Sequence, residues 1–225
     1  MNIQTEITFD ALTGLLNRKA FLEELTRQLS IAKSKNHETP LSVALLDIDF
    51  FFQINEDYGH LGGDNAISGF ADVIREIIGD DVSAARYGGD EFALLMPGQE
   101  REQAFLLLEQ IRVGVKAREF DAPGDRKIRN MSISGGLATF PVDGRTEYEL
   151  LRKASQALYR AKMGEKGQIR LAYEERMLPK TAHFTQTQLE RLGKLAEAHN
   201  VNEADLLRES VDDLLTKYEV NDIES

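Results

Sequence analysis

The sequence predicts a layered α+β domain, with helices packed on a sheet, followed by a small strand-helix-helix tail. Three observations carry that prediction. Over about the first 170 residues, short apolar runs of strand length alternate with apolar stripes at helical spacing. Gly88-Gly89 precede Asp90 between two strand-like runs, as a hairpin requires. Beyond Tyr173 the alternation gives way to two narrow helical stripes.

The elements follow in order. Asp10 to about Lys35 reads as an amphipathic helix, with Leu22, Leu25, Leu29 and Ala32 on one face and an end near Pro40. Leu41 to Leu46 is a continuous apolar run, read as a buried strand that delivers Asp47 and Asp49 at its C-terminal end. Ile67, Phe70, Ala71, Ile74 and Ile78 mark a second helix. Val82 to Tyr87 and Glu91 to Met96 form the arms of the hairpin, whose two glycines can take the positive φ of a primed turn. Ala104, Leu107, Leu108, Ile111 and Val115 mark a third helix, Met131 to Phe140 a strand, Leu151, Ala154, Leu158 and Ala161 a fourth helix, and Gln168 to Tyr173 a last strand. This assigns residues 1–173 to one domain of common size. Residues 174–225 form an appendage with a strand around Thr181 to Thr185, a helix marked by Leu189, Leu192, Leu195 and Ala196, and a helix marked by Leu207, Val211, Leu214, Leu215 and Tyr218.

Composition narrows the chemistry. The chain of 225 residues has no cysteine, which excludes a disulfide scaffold, a thiolate zinc site and a cysteine nucleophile. Apolar runs such as Phe105 to Leu108 are too short to span a bilayer, and Met1 to Asp10 lacks a basic patch followed by an apolar stretch, so a cytoplasmic protein is expected. The net charge of −11 means that a polyanionic ligand must be neutralised locally, usually by metal.

Acids gather in two places suited to that task. Asp47 ends a buried strand, and Asp90 with Glu91 sits on the hairpin of the same expected sheet. Such carboxylates are hard oxygen ligands for Mg²⁺ or Mn²⁺, ions that commonly bridge to substrate phosphates. Backbone N–H groups where Phe50 to Phe52 leave the strand could cradle phosphate, and the polar run Asn55 to Asp64 carries three glycines that permit close approach of a ligand. Taken singly, each piece reads more readily as acids and glycines crowded in exposed turns.

Together these blocks resemble the GGDEF family of diguanylate cyclases over about Asp10 to Leu171. Gly88-Gly89-Asp90-Glu91-Phe92, preceded by Arg86-Tyr87, is the signature. Asp10, Leu12, Thr13, Gly14, Leu15, Asn17 and Arg18 match an N-terminal motif, and Asp47-Ile48-Asp49, Phe51, Asn55, Gly59-His60 and Gly63-Asp64 match the substrate-binding one. Ser134, Gly136 and Ala138, then Ala157-Leu158-Tyr159 with Ala161-Lys162, match two later blocks. The resemblance implies a nucleotidyl-cyclase fold, palm-like, with a mostly antiparallel sheet, that condenses two GTP molecules into cyclic di-GMP across a dimer of half-sites. It implies Asp47, Asp90 and the Ile48 carbonyl as holders of Mg²⁺ or Mn²⁺, and Glu91 as support for the metals or the attacking hydroxyl. Asn55 and Asp64 are implied as guanine readers, and the backbone around Phe51 and Phe52, with Lys162, as the triphosphate site. The chemistry agrees: phosphoryl transfer needs charge neutralisation and in-line positioning, and a carboxylate at Asp64 can accept from guanine N1–H and N2–H₂ where adenine has no matching donors. Asp64 also reads as the N-cap of the following helix, and His60 as structural.

The sequence departs from the family at several positions. Phe52 replaces a lysine, Ser155 an aspartate, and Glu165-Lys166-Gly167 the usual glycine-arginine-asparagine, although Lys166 still supplies charge near the phosphates without arginine's bidentate fork. The arginine-aspartate pair that precedes the signature in many members is absent from Gly79-Asp80-Asp81-Val82, so no product feedback through that site is expected.

Only about nine residues precede Asp10, so control or assembly is expected from the tail. The tail resembles, by pattern and length alone, a ribbon-helix-helix unit, which shares its core with a second copy. From Leu171 to Ser225 twelve acids face six bases, which argues against DNA and for a homodimer formed through the tail. A tail folded back on its own domain is the remaining structural reading. Three functions therefore stand for comparison: an active dimeric cyclase, a catalytically weak GTP-binding signalling module, and a regulator that binds DNA through its tail.

Overall fold

β2 (Leu41–Ile48) is buried at every residue and forms the spine of a six-stranded sheet. The structure, a computed structural model, describes residues 8–34, 38–172 and 182–199, together with 203, 206, 207, 210, 211 and 214. The other elements are β1 (Leu16–Asn17), α1 (Arg18–Ala32), α2 (Phe51–Ile77), β3 (Ser83–Gly88), β4 (Glu91–Pro97), α3 (Arg101–Ala117), β5 (Phe120–Ala122), β6 (Arg126–Ile128), β7 (Ile133–Phe140), α4 (Glu147–Met163), β8 (Ile169–Leu171) and α5 (Gln186–His199). The sheet order is β1-β3-β4-β2-β7-β8, antiparallel through β3, β4, β2 and β7 and parallel at its two edges. The expected α+β architecture with a mostly antiparallel sheet is what the chain adopts.

The two-residue period of β2 divides its side chains between two cores. Ala44, Leu46 and Ile48 pack with Ile67, Phe70 and Ile74 of α2 and Leu108 and Ile111 of α3. Leu41, Val43 and Leu45 pack with Phe21 and Leu25 of α1 and Leu150, Ala154 and Leu158 of α4. Asp47 continues the second series, so its side chain belongs to the α4 face, whereas Ile48 belongs to the α2 face. Capping fixes the helix starts: Asn17 accepts from the Ala20 N–H, and Thr146 and Glu149 form a reciprocal capping box on α4.

Several local expectations are corrected. The first helix begins at Arg18, because Asp10 accepts from both the N–H and the hydroxyl of Thr13 and holds residues 10–15 in a turn. The hairpin forms, but neither Gly88 nor Gly89 has a positive φ; it is closed instead by a register shift between Arg86 and Gly88. The run from Asn55 to Asp64 is helical on both sides of a break at Gly59, so Asp64 lies inside α2 rather than at a helix start. The small β5–β6 hairpin had no counterpart in the sequence reading, since three-residue strands carry too little periodicity to register.

The chain divides into two units, Met1–Glu175 and Arg176–Ser225. Within the second, residues 182–185 are not strand, and the rest of the expected strand falls outside the described residues. α5 carries the first expected stripe, with Ala196 buried and Leu189 and Leu195 exposed. Of the second stripe, Leu207, Val211 and Leu214 are helical; Leu215 and Tyr218 lie outside the described residues. No helix among the described residues is long and apolar enough to cross a membrane.

Candidate active site

Strand register brings the predicted acids together. Asp47 stands directly opposite Glu91 of β4 and Ser134 of β7, and the Ile48 N–H donates to the Asp90 carbonyl at 3.3 Å, which ties the hairpin turn to the end of β2. Asp47 is 3% exposed. Its Oδ2 lies 2.6 Å from Lys162 Nζ, brought there by the last turn of α4, while its Oδ1 is buried without a hydrogen-bond partner. Burial pushes the Asp47 carboxyl up to about 6 and the charges of Asp90 and Glu91 add to the rise, against the hydrogen bond and charge of Lys162.

An orphaned carboxylate oxygen beside two further acids fits a divalent cation. Among the described residues no three acid or histidine side chains converge as a closed cage. An open site of two or three carboxylates and a backbone carbonyl suits a magnesium-like ion that draws its remaining ligands from water and phosphate.

Phe51, Phe52, Asn55 and Asp64, expected to meet phosphate and base, lie on α2. Phe50, at φ 56°, turns the chain sharply from β2 into α2, so that Phe51 and Phe52 occupy its first turn, which carries no side-chain cap. Phe51 is half-buried against the core, whereas Phe52 is 76% exposed. α2 is broken at Gly59, with φ 72° and ψ 173°, values open mainly to glycine. Beyond the break the backbone returns close to Asn55: a Cβ at Gly63 would stand 2.1 Å from Asn55 Oδ1. The break and the bare Gly63 Cα together set Asn55 against the residue next to Asp64, which is itself exposed. His60 is exposed beside the break.

Lys166 lies in the loop between α4 and β8, its Nζ 3.9 Å above the centre of the Phe50 ring. Gly167 follows at φ 59°, a left-handed position where glycine and asparagine are the residues most at ease. That preference accounts for glycine at the position where the family commonly has asparagine.

Sequence reasoning gave no role to three residues that hold these parts in place. Arg86 donates from Nε to the Gly89 carbonyl at 2.9 Å and from Nη1 to Asp10 Oδ2 at 3.3 Å, so it clamps the signature turn to the N-terminal motif. Asp49 and Ser134 are hydrogen-bonded to each other and to the Lys166 loop. All were present in matched motifs, but apart from the local bond between Arg86 and Gly89 their partners here are from 33 to 118 positions away in the chain, and no local pattern links them.

Solved structures share this fold and define its class as a GGDEF domain. The GGDEF domain of DgcB from Caulobacter crescentus, in complex with c-di-GMP, superposes with a TM-score of 0.68 at 34% identity, covering 74% of this chain and 94% of that one. The active GGEEF domain of a diguanylate cyclase from Vibrio cholerae superposes with a TM-score of 0.65 at 27% identity, covering 72% and 99%. The chain belongs to the GGDEF family of diguanylate cyclases, whose family model, described as "Diguanylate cyclase, GGDEF domain", matches residues 7–168. Its relatives include diguanylate cyclase DgcP of Pseudomonas aeruginosa, 35% identical over 163 residues, which are 72% of this chain and 24% of the relative. Diguanylate cyclase A of Treponema denticola is 32% identical over 174 residues, 77% of this chain and 46% of the relative. The chain thus spans about a quarter to a half of the length of these curated relatives.

Proposed function

We propose that the protein is a diguanylate cyclase that condenses two GTP molecules into cyclic di-GMP and two pyrophosphates. The observation that carries this reading is the cluster at the C-terminal end of β2, inside the sheet: Asp47 with a buried, unpartnered Oδ1, Asp90 tied to Ile48 through its carbonyl, and Glu91 opposite Asp47. Asp47, Asp90 and the Ile48 carbonyl would hold Mg²⁺, or Mn²⁺ in its place. A bound ion supplies charge neutralisation at the α-phosphate and favours the ionised 3′-hydroxyl. The chain's own residues do the rest. The uncapped first turn of α2 at Phe51 and Phe52 offers backbone N–H groups to the triphosphate, and Lys162 and Lys166 add positive charge. Asn55 and Asp64, set near each other by the break at Gly59, accept from and donate to the guanine edge. Glu91 supports the attacking hydroxyl.

Each chain holds one GTP, so turnover requires a second copy facing it, and the reading assigns residues 1–173 to the cyclase and 174–225 to a dimerising tail. Exposed Leu189, Leu195, Val211 and Leu214 support a tail that shares its apolar surface with another chain, and the acidic balance of the tail speaks against DNA. The same reading makes the protein cytoplasmic, where GTP is available.

Incubation of the purified protein with GTP and Mg²⁺, followed by chromatography, is expected to yield cyclic di-GMP. Asp90→Ala should lower the rate on the order of a hundredfold or more, the scale of losing charge stabilisation at the reacting phosphate. Full activity in that variant would remove Asp90 from the metal site. GTP binding without product at high protein concentration would instead identify a nucleotide-binding signalling module.

A further inference from the structure

The buried carboxylate of Asp49 has no role in the reading above. It lies two residues beyond Asp47 and is likewise 3% exposed, yet its surroundings differ in kind. Both of its oxygens are engaged: Oδ1 accepts from Ser134 Oγ at 2.7 Å, and Oδ2 from Ser132 Oγ at 2.8 Å and from the Gly167 N–H at 2.9 Å. Its own N–H donates to the Ser132 carbonyl at 2.9 Å. Every one of these partners is neutral. A carboxylate is costly to bury without a cation, and multiple neutral donors are the alternative way to satisfy it. Asp47 keeps an oxygen free, as a metal ligand must, whereas the Asp49 carboxylate uses both of its oxygens to tie three segments of the chain together, its own included.

Those segments are the exit of β2, the start of β7 and the loop between α4 and β8. The loop is the one that needs holding. Lys166 at φ 50° and Gly167 at φ 59° are consecutive left-handed residues, and Phe50 at φ 56° is left-handed as well. Non-glycine residues persist there only where the surroundings over-determine them. Gly167 is gripped on both sides, its N–H by Asp49 and by Ser134 Oγ at 3.2 Å, its carbonyl by Arg112 Nη1 at 3.2 Å. With Gly167 fixed, the preceding Lys166 is carried over the Phe50 ring, at the entrance to α2.

We infer that Asp49 is a positioning residue for the nucleotide's phosphates, acting through the α4–β8 loop to hold the Lys166 ammonium beside the first turn of α2. This rests on the reading that the triphosphate occupies that turn.

The test separates phosphate from base. Affinities for a non-hydrolysable GTP analogue and for guanosine are measured by calorimetry and competition on the full chain. Asp49→Ala is expected to weaken the GTP analogue about tenfold, the scale of one charge-assisted contact, and to leave guanosine unchanged. Lys166→Met should cause the same selective loss, and the double variant should be no weaker than Lys166→Met alone. Asp49→Asn keeps an acceptor for the Gly167 N–H and should restore affinity for the GTP analogue. Ser134→Ala, a milder change to the same hub, should show the same split and serves if Asp49→Ala does not fold.

A parallel loss of guanosine binding in the variants would make Asp49 merely structural and overturn the inference. So would additive losses in the double variant. An Asp49→Asn protein as weak as Asp49→Ala would assign the effect to the carboxylate charge rather than to support of the loop and would also overturn the inference. If Lys166→Met leaves GTP binding intact, the phosphate assignment of that lysine fails first, and the inference falls with it.

Discussion

Lys162 and Asp47 form a close ion pair at the end of β2, with Nζ 2.6 Å from Oδ2, while Oδ1 on the same carboxylate is buried and unpartnered. The lysine therefore stands in the charge environment that a divalent cation would occupy. It is 37% exposed and anchored only through the last turn of α4, so its ammonium can move away without unpacking the core. Lys162→Met should strengthen Mn²⁺ binding in the absence of nucleotide by about tenfold or more, since a competing unit charge within about 4 Å is worth a few kcal/mol at intermediate dielectric. The same variant should weaken GTP binding, because the displaced ammonium is then missing from the phosphates. Mn²⁺ titration followed by electron paramagnetic resonance reads the first effect. Unchanged Mn²⁺ affinity would show that the pair does not compete with the metal.

Asp47 also gives the metal-free site a pH dependence of definite sign. Its folded carboxyl lies near 6, above the ordinary value of 3.8, with burial as the largest cause. Ionisation of this group therefore opposes folding: its favourable contribution is complete below about 4 and is lost as the pH rises through about 6. Asp47→Asn should be more stable than the parent protein at pH 7 without metal, and the difference should shrink as the pH falls toward 4. Metal binding runs the other way, because the proton competes for the carboxylate; Mn²⁺ affinity should fall roughly tenfold per pH unit below 6. Thermal melts and Mn²⁺ titrations across pH 4 to 8 check both slopes.

Much of this site was legible in the sequence, for a physical reason. Asp47, Asp90 and Glu91 sit at the ends of strongly patterned strands, so once β2 and the hairpin are placed in one sheet their proximity follows from register. Asn55 and Asp64 were identified by motif, but the device that sets them near each other was hidden: a glycine-rich polar run reads as a loop, and only the backbone reveals a helix broken at Gly59. The clamp from Arg86 to Asp10 and the Asp49 hub span 76 to 118 positions and depend on side chains whose types are equally common in turns. The Gly88-Gly89 pair marked the hairpin correctly and misled about its turn, since glycine signals either positive φ or open space for a ligand, and no Cβ contact within 4 Å awaits at Gly89.

Gly63→Ala tests the broken helix. The added methyl would meet Asn55 Oδ1 at 2.1 Å and the Phe51 ring at 3.2 Å, so both neighbours must move. Overpacking of this kind costs about 1–3 kcal/mol. The variant should melt several degrees lower and, because Asn55 is the closest group displaced, should lose guanine-dependent binding more than its stability loss explains. Guanosine affinity measured well below the melting temperature separates the two effects. Wild-type affinity in a protein of reduced stability would remove Asn55 from the base site.

The tail offers the last test, and concentration is the variable that decides it. A reaction between two GTP-loaded chains is second order when the chains are separate, and a tail that pairs them makes the second half-site a local one. Removing the residues after Tyr173 should therefore lower specific activity most at low protein concentration and leave it nearly unchanged once the domains are concentrated enough to meet unaided. Leu189→Glu with Leu195→Glu, on the exposed side of α5, should reproduce that curve, because each buries a charge if the face is covered by a second chain and costs nothing if it stays in water. Sedimentation velocity on the same samples should register the loss of dimer in step with activity. A truncated chain whose specific activity has the same concentration dependence as the full one would show that the cyclase domains pair without the tail.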